Sequence, residues 1–229
     1  SKFKQAERTV PKDSDAHEVY ARAFENMKAD GRLSVWKGIM LTLEQLGWEL
    51  SGHDLKTLLW GAEAMDWAVR MYYRESVVTV LAEAGMEFFL LGEGWENHPA
   101  AELDNVHRVA GQVPYRETLT YMADARINLN VMPGFKDGTH DRIFNTLLQR
   151  SVPLTDSSAW IDENFMDGVD IALYDLKQLE KLPEIARKLL EDDELAERII
   201  ENGYQKVAGT LTWDLCSQWI LDVIRGNGK

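Results

Sequence analysis

The run Asp137 to Asn145, DGTHDRIFN, holds the densest set of residues suited to chemistry. Gly138 lets a backbone come close to a bound group. Thr139 and His140 offer N–H donors, and Arg142 offers a cation. Asn145, one helical turn further in, can hydrogen-bond a sugar hydroxyl. A β-prone run, Arg126 to Val131, precedes it and is broken by Pro133, Gly134, Asp137 and Gly138. Thr139 or Asp141 can cap a helix that continues through Phe144, Leu147 and Leu148. Val152 to Thr155 then reads as a second buried strand. A strand feeding a helix through a polar, Gly-containing loop gathers free N–H groups and the positive helix end in one place. Such a place suits a nucleotide phosphate. The same residues also read as an ordinary capped helix, with Asp141 and Arg142 in solvent and Asn145 satisfying a nearby backbone group. Asp137 counts against a phosphate beside it unless it faces a neutral sugar.

Other constellations are thinner. GEGW, Gly92 to Trp95, is a Gly-rich turn after a strand, where Gly92 and Gly94 could approach a ligand. It also reads as a plain strand end with Trp95 packed over the sheet edge. His98, His107 and His140 are too scattered for a metal site, and no metal is expected. Asp162, Glu163 and Asp167 could hold ligand hydroxyls or a divalent ion, or form a solvated acidic face. Ser157 and Ser158 follow a strand, but no G-x-S-x-G elbow accompanies them. There is no Walker loop and no G-x-G-x-x-G, so hydrolase, ATPase and dehydrogenase readings lack support.

The elements that must position these residues follow from periodicity. Ser14 or Asp15 caps a first helix, with Val19, Ala23, Phe24 and Met27 on one face and Gly31 at its end. A second helix covers Val35 to Leu46 and stops at Gly47. SGHD, Ser51 to Asp54, opens a long helical region from Leu55 to Ala84. Strands and helices then alternate. Strands are expected at Met86–Leu91, Val106–Val109, Arg126–Val131, Val152–Thr155 and Asp170–Tyr174. Helices are expected from Pro114 to Ala125, from Ala159 to Phe165, from Asp175 to Leu190, from Asp192 or Asp193 to about Val207, and from Trp213 to Ile224. Such alternation predicts a parallel, doubly wound sheet whose ligands bind beyond the C-terminal strand ends.

Composition narrows the function classes. A chain of 229 residues, 45% hydrophobic, can build one or two domains around a sizeable core. The formal net charge of −13 argues against nucleic acid as a partner. No segment approaches the roughly 20 apolar residues of a transmembrane span. The single cysteine, Cys216, excludes an intrachain disulfide and fits a reducing compartment, so a cytoplasmic location is expected. Residues 1 to 14 read as a polar tail without an apolar signal region.

The ordered string GEGW, then GQVPYRETLTYMADARINLNVMPGFKDGTHDRIFNTLLQRSVPLTDSS, then IDENFMDGVDIALYDL, resembles the C-terminal half of a GT-B fold glycosyltransferase. More narrowly, it resembles the "glycosyl transferases group 1" domain of bacterial-type, spore-maturation-type enzymes. Tyr115, Glu117, Asn128 or Asn130, Gly138, Arg142, Phe144, Thr155, Asp156, Phe165, Gly168 and Tyr174 carry the likeness. The closing DDELAERIIENGYQKVAGTLTW extends it, and it covers roughly residues 77 to 225. At the position of the family's ribose-binding Glu this chain has Asn145, and the related Glu-x7-Glu pattern becomes Asp137-x7-Asn145.

The resemblance implies an α/β fold: a Rossmann-like, doubly wound parallel sheet over residues 76–229, with a helical subdomain or insertion at 1–75. It implies that Gly92, Gly94, Pro114, Tyr115, Gly138, Thr139, Arg142 and Asn145 bind a nucleotide diphosphate sugar of UDP or GDP type. That donor is a substrate, and no further cofactor is expected. The acceptor is unspecified. The general base is expected in an acceptor-binding half outside this chain, without which the chain is inactive. A sugar-nucleotide epimerase-like enzyme and a non-catalytic binding module are the competing readings.

Overall fold

The computed structural model describes residues 14–109 and 111–226. The polar tail, up to residue 13, lies outside the described residues. Among the described residues four helices come first: α1 (Asp15–Ala29), α2 (Val35–Leu46), α3 (Gly52–Trp60) and α4 (Glu63–Glu83). Ser14 Oγ accepts the His17 N–H at 3.3 Å, and Ser34 Oγ accepts that of Lys37 at 3.3 Å. Each hydroxyl satisfies a donor that the first helical turn leaves open. Val19, Ala23 and Met27, four residues apart, form the buried stripe of α1. The long helical region breaks at Gly61 and Ala62, which gives α3 and α4.

The strands are β1 (Phe88–Leu91), β2 (Val106–Val109), β3 (Ile127–Asn130), β4 (Val152–Asp156) and β5 (Ala172–Tyr174). All strand pairings among the described residues are parallel. β1 pairs with β2 in a two-stranded sheet, and β3–β4–β5 form a second sheet in that order. Intervening helices are α5 (Tyr115–Asp124), α6 (Asp141–Leu148) and α7 (Ala159–Asn164). The chain closes with α8 (Leu182–Glu191), α9 (Asp193–Thr210) and α10 (Trp213–Ile224). The result is a mixed α/β, Rossmann-like fold with parallel strands.

Three local expectations shift. Asp175 does not start a helix. Its carboxylate accepts the Lys177 N–H at 2.9 Å, a 3-10 turn spans Leu179–Lys181, and α8 begins only at Leu182. Pro183 in the first turn of α8 sets that start, since its missing N–H has no helical partner there. β5 begins at Ala172 rather than Asp170, because the Asp170 carboxylate accepts the Met166 N–H at 2.7 Å and pairs with Lys206. At α6, neither Thr139 nor Asp141 is the cap. His140 holds that position and makes no capping bond with its side chain.

The main core crosses from the helical region into the sheet. Met27, Ile39 and Leu43 pack in one cluster with Val69, Tyr73 and Val77 of α4, with Val131, Val152, Leu154, Ala172 and Tyr174, and with Leu182 and Ile199. Tyr73 is fully buried, and its hydroxyl lies 2.9 Å from the Met27 carbonyl oxygen. A second cluster, including Met132, Ile143, Leu147, Ile161, Ile171 and Val207, fixes α6, α7 and α9. A third, Val78, Ala82, Leu90, Ala100 and Val106, lies under β1 and β2. Because α4 and the β3–β5 sheet share one close-packed core, their polar ends are held in fixed relation.

Candidate functional site

The register of the three-stranded sheet gathers its ends. Asn130 pairs across to Thr155, and Asp156 to Tyr174, so the C-terminal edge of β3, β4 and β5 is a row of polar side chains. Asn130, Thr155 and Asp156 are at most 1% exposed. Burial at that level requires partners. Thr155 Oγ1 donates to the Asp156 carbonyl at 2.9 Å, so it accepts from Asn130 Nδ2, also at 2.9 Å. That fixes the amide, and Asn130 Oδ1 faces His140 Nδ1 at 3.0 Å and Arg142 Nη1 at 3.3 Å. An amide oxygen only accepts, so His140 carries its proton on Nδ1 and leaves Nε2 open. The Tyr174 hydroxyl donates to the Asn130 carbonyl at 2.8 Å. Burial, then the nearby Asp156 carboxylate, pushes the Tyr174 hydroxyl well above its ordinary pKa, so it stays a donor.

Asp156 organises the loop from Met132 to His140. Its Oδ1 accepts the Met132 N–H at 2.7 Å, and its Oδ2 pairs with Lys136. Lys136 is 7% exposed, and its Nζ also donates to the Ser157 carbonyl at 2.9 Å. Ser158 Oγ donates to the Gly138 carbonyl at 2.6 Å and accepts the Ile161 N–H at 3.2 Å, capping α7. The loop is therefore strapped to the end of β4. At Gly138 a Cβ would lie 2.7 Å from the Phe135 ring, which itself stacks on His140 at 5.7 Å between centroids. A side chain there would press on the outer end of the Phe135 ring, which would have to shift.

Several expected site residues meet here. Arg142 and Asn145 lie on successive turns of α6. The Tyr115 hydroxyl, from the start of α5, donates to Asn145 Oδ1 at 3.2 Å. Pro114 stands at the cap of α5 and is exposed, as is Tyr115. Thr139 Oγ1 is buried with no hydrogen-bond partner. Gly92 and Gly94 lie elsewhere, after β1 in the other sheet. Both have positive φ, +102° and +97°, and the Gly94 N–H is taken by Glu96 Oε2 at 2.8 Å. Among the described residues no hydrogen bond joins that turn to α6.

The remaining candidates have local structural work. His98 Nδ1 accepts the Ala100 N–H at 3.2 Å, and His107 lies 3.0 Å from Glu87. Asp162 accepts from Ser157 Oγ, and Asp167 from the Leu173 N–H at 2.9 Å. Among the described residues no group of three His, Cys, Asp or Glu is placed to hold a metal ion. Surface recesses near Glu184, Arg187 and Asp192, and near Trp36, Leu59 and Trp60, involve none of the residues of the polar edge.

Arg70 and Arg74 of α4 escape the residue-by-residue reading. They follow Asp66 at intervals of four, so all three share one helix face. Asp66 approaches the loop: a Cβ on Gly134 would stand 3.5 Å from its Oδ1. Its Oδ2 pairs with Arg70 at 2.8 Å, yet Arg70 Nε is buried without a partner. Burial, then repulsion from Arg142 and Arg70, lowers the Arg74 pKa against the pull of Asp66. Burial, then the Arg142 and Arg74 cations, lowers that of His140, partly offset by Asp156. Arg142 is lowered by burial too, with Asp141 and Tyr174 opposing. The Asp66-x3-Arg70-x3-Arg74 spacing was the available signal, but it also describes a solvated helix face.

No helix among the described residues is long and apolar enough to cross a membrane. Comparison with curated proteins finds none that matches. The family model described as glycosyl transferase-like matches residues 70–222, from Arg70 in α4 into α10, and so takes in every strand and the whole polar edge. With well over half of its residues in that match, the chain belongs to the glycosyl transferase-like family.

Proposed function

We propose that this chain binds a nucleotide diphosphate sugar of UDP or GDP type, as the donor-binding half of a GT-B, spore-maturation-type glycosyltransferase. The observation that carries the reading is the meeting of Arg142, the unpartnered Thr139 Oγ1 and the Tyr115–Asn145 pair at the C-terminal edge of the sheet. The N–H groups of Thr139 and the first turn of α6, with Arg142, hold the diphosphate. They offset the charge that grows on it as the glycosidic bond breaks. Asn145 holds the ribose, and Pro114 and Tyr115 cradle the base. Gly92 and Gly94 would border the donor from the neighbouring sheet. The acceptor and the general base belong to a second half. Residues 76–229 are then the donor-binding unit, and residues 1–75 an added helical one.

Calorimetry with UDP- and GDP-sugars tests the reading. A folded sample that binds no nucleotide overturns it. Arg142→Ala should weaken diphosphate binding by about 10-fold or more, as expected for loss of a charge-assisted hydrogen bond worth about 1.5–3 kcal/mol. Nucleoside binding should change less. A non-catalytic binding module is the second reading, favoured by Asn145 where the family carries a carboxylate. Transfer activity in the presence of an acceptor-binding half separates the two.

A further inference from the structure

Arg70 pairs with Asp66 at 2.8 Å, and Asp66 Oδ1 stands 3.5 Å from where a Cβ on Gly134 would lie. Arg142 Nη1 reaches Asn130 at the base of the same loop at 3.3 Å. So α4 and α6 bring their arginines to one loop, with Arg74 and His140 in electrostatic reach. The whole chain carries a net charge of −13, so cations gathered at one point are against the general trend. The carboxylates nearby offset them only in part. Asp156 is engaged by buried Lys136, Asp66 pairs with Arg70 and acts on Arg74 only through space, and Asp141 acts on Arg142 likewise without an ion pair. Among the described residues Arg74 makes no hydrogen bond and no ion pair, and Arg142 has only the neutral amide of Asn130. Two buried polar atoms, Arg70 Nε and Thr139 Oγ1, also stand without partners. Like charges held together are unfavourable unless an anion joins them. The shared core of α4 and the sheet prevents them from drawing apart.

We infer that Arg70 and Arg74 of α4, facing Arg142 and the start of α6, form a seat for a polyanion with two linked phosphoryl groups. The helical part of the chain is thereby one wall of the site. The seat selects charge number, because cations supplied by two helices favour a ligand with two linked phosphoryl groups over one with a single group. The identity of that diphosphate as part of a sugar donor rests on the proposed function; the seat itself does not.

The experiment is titration calorimetry of the chain with inorganic pyrophosphate, inorganic phosphate, UDP and GDP. Far-UV circular dichroism checks that each variant is folded. Pyrophosphate should bind at least about ten-fold more tightly than phosphate, and each of Arg74→Gln and Arg70→Gln should lose about ten-fold or more. Arg74→Lys should recover part of the loss, because the charge returns without the fork. Lys37→Gln, at an exposed position of α2, should bind as the parent does. Folded Arg74→Gln and Arg70→Gln samples that keep full pyrophosphate affinity overturn the seat, as does a parent chain that does not bind pyrophosphate. If pyrophosphate binds through these arginines but UDP and GDP add nothing to its affinity, the seat stands and the donor reading falls. If UDP or GDP binds and both α4 variants are indifferent, the donor reading stands and the seat falls.

Discussion

Two loops of this molecule look alike in sequence. Gly92–Trp95 and Met132–His140 both follow a strand, contain glycine and precede a helical turn. The structure makes them opposites. The first is an open turn on a two-stranded sheet, with its glycines in left-handed conformations and empty space where side chains would be. The second is strapped by Asp156, Lys136 and Ser158 and lies among arginines from two helices. Glycine spacing marks where a backbone can turn. A binding site also needs converging charge and polar groups held in place, and only the second loop has them.

The largest expected effect removes the strap. Asp156→Ala leaves Lys136 buried without its carboxylate, which costs about 3–5 kcal/mol. Urea denaturation should show an unfolding free energy lower by that amount; a change below about 1 kcal/mol would mean the loop is held by something else. Gly203→Ala comes next. Its Cβ would stand 2.6 Å from the Asp170 carbonyl and 2.4 Å from Leu147 Cδ2, where α9 packs on α6. Overpacking of that kind costs about 1–3 kcal/mol. Gly94→Ala, in the open loop, meets no atom within 4 Å, so only its φ of +97° opposes the change. A cost of about 1–2 kcal/mol is expected, with pyrophosphate binding unaffected. If Gly94→Ala abolishes that binding, the contrast between the loops is reversed.

The sequence made this contrast only half legible. Periodicity located the strands and most helices, because burial on one face leaves a regular mark at Val19, Ala23 and Met27 or at Val152 and Leu154. Arg142 and Asn145 could be singled out because a loop-to-helix junction has its own local chemistry. Asn130 and Asp156 drew notice only through family likeness, since their importance comes from register between strands 20 or more residues apart. Arg70 and Arg74 look like a solvated helix face for the same reason in stronger form. Nothing in α4 itself says that its charged face meets a loop more than 60 residues later. Asp175 misled because a side chain that caps a turn has the same composition as one that caps a helix.

Acidification probes the arginine side of the site. His140 is held below the ordinary histidine pKa of 6.5 by burial and then by Arg142 and Arg74, with Arg70 adding to them and Asp156 opposing. Folding therefore favours the neutral imidazole. As pH falls below about 6.5 the unfolded chain binds more protons than the folded one, and stability drops. His140→Asn should flatten the dependence of the urea midpoint between about pH 7 and pH 5.5. An unchanged slope would place the responsible group elsewhere.

The smallest expected effect lies on the nucleoside side, at Tyr115→Phe. The lost hydroxyl is exposed, so folding stability should move by no more than about 0.5 kcal/mol. Binding is more sensitive. With Tyr115 donating to Asn145 Oδ1, the amide of Asn145 is fixed and its Nδ2 is the group left for a ribose hydroxyl. Phenylalanine frees that amide to rotate, so UDP and GDP should bind more weakly while pyrophosphate binds as before. Tighter nucleotide binding in Tyr115→Phe would mean that the tyrosine competes with the ribose for Asn145. Equal loss for pyrophosphate and nucleotides would remove the division of labour between the α5–α6 junction and the arginines of α4.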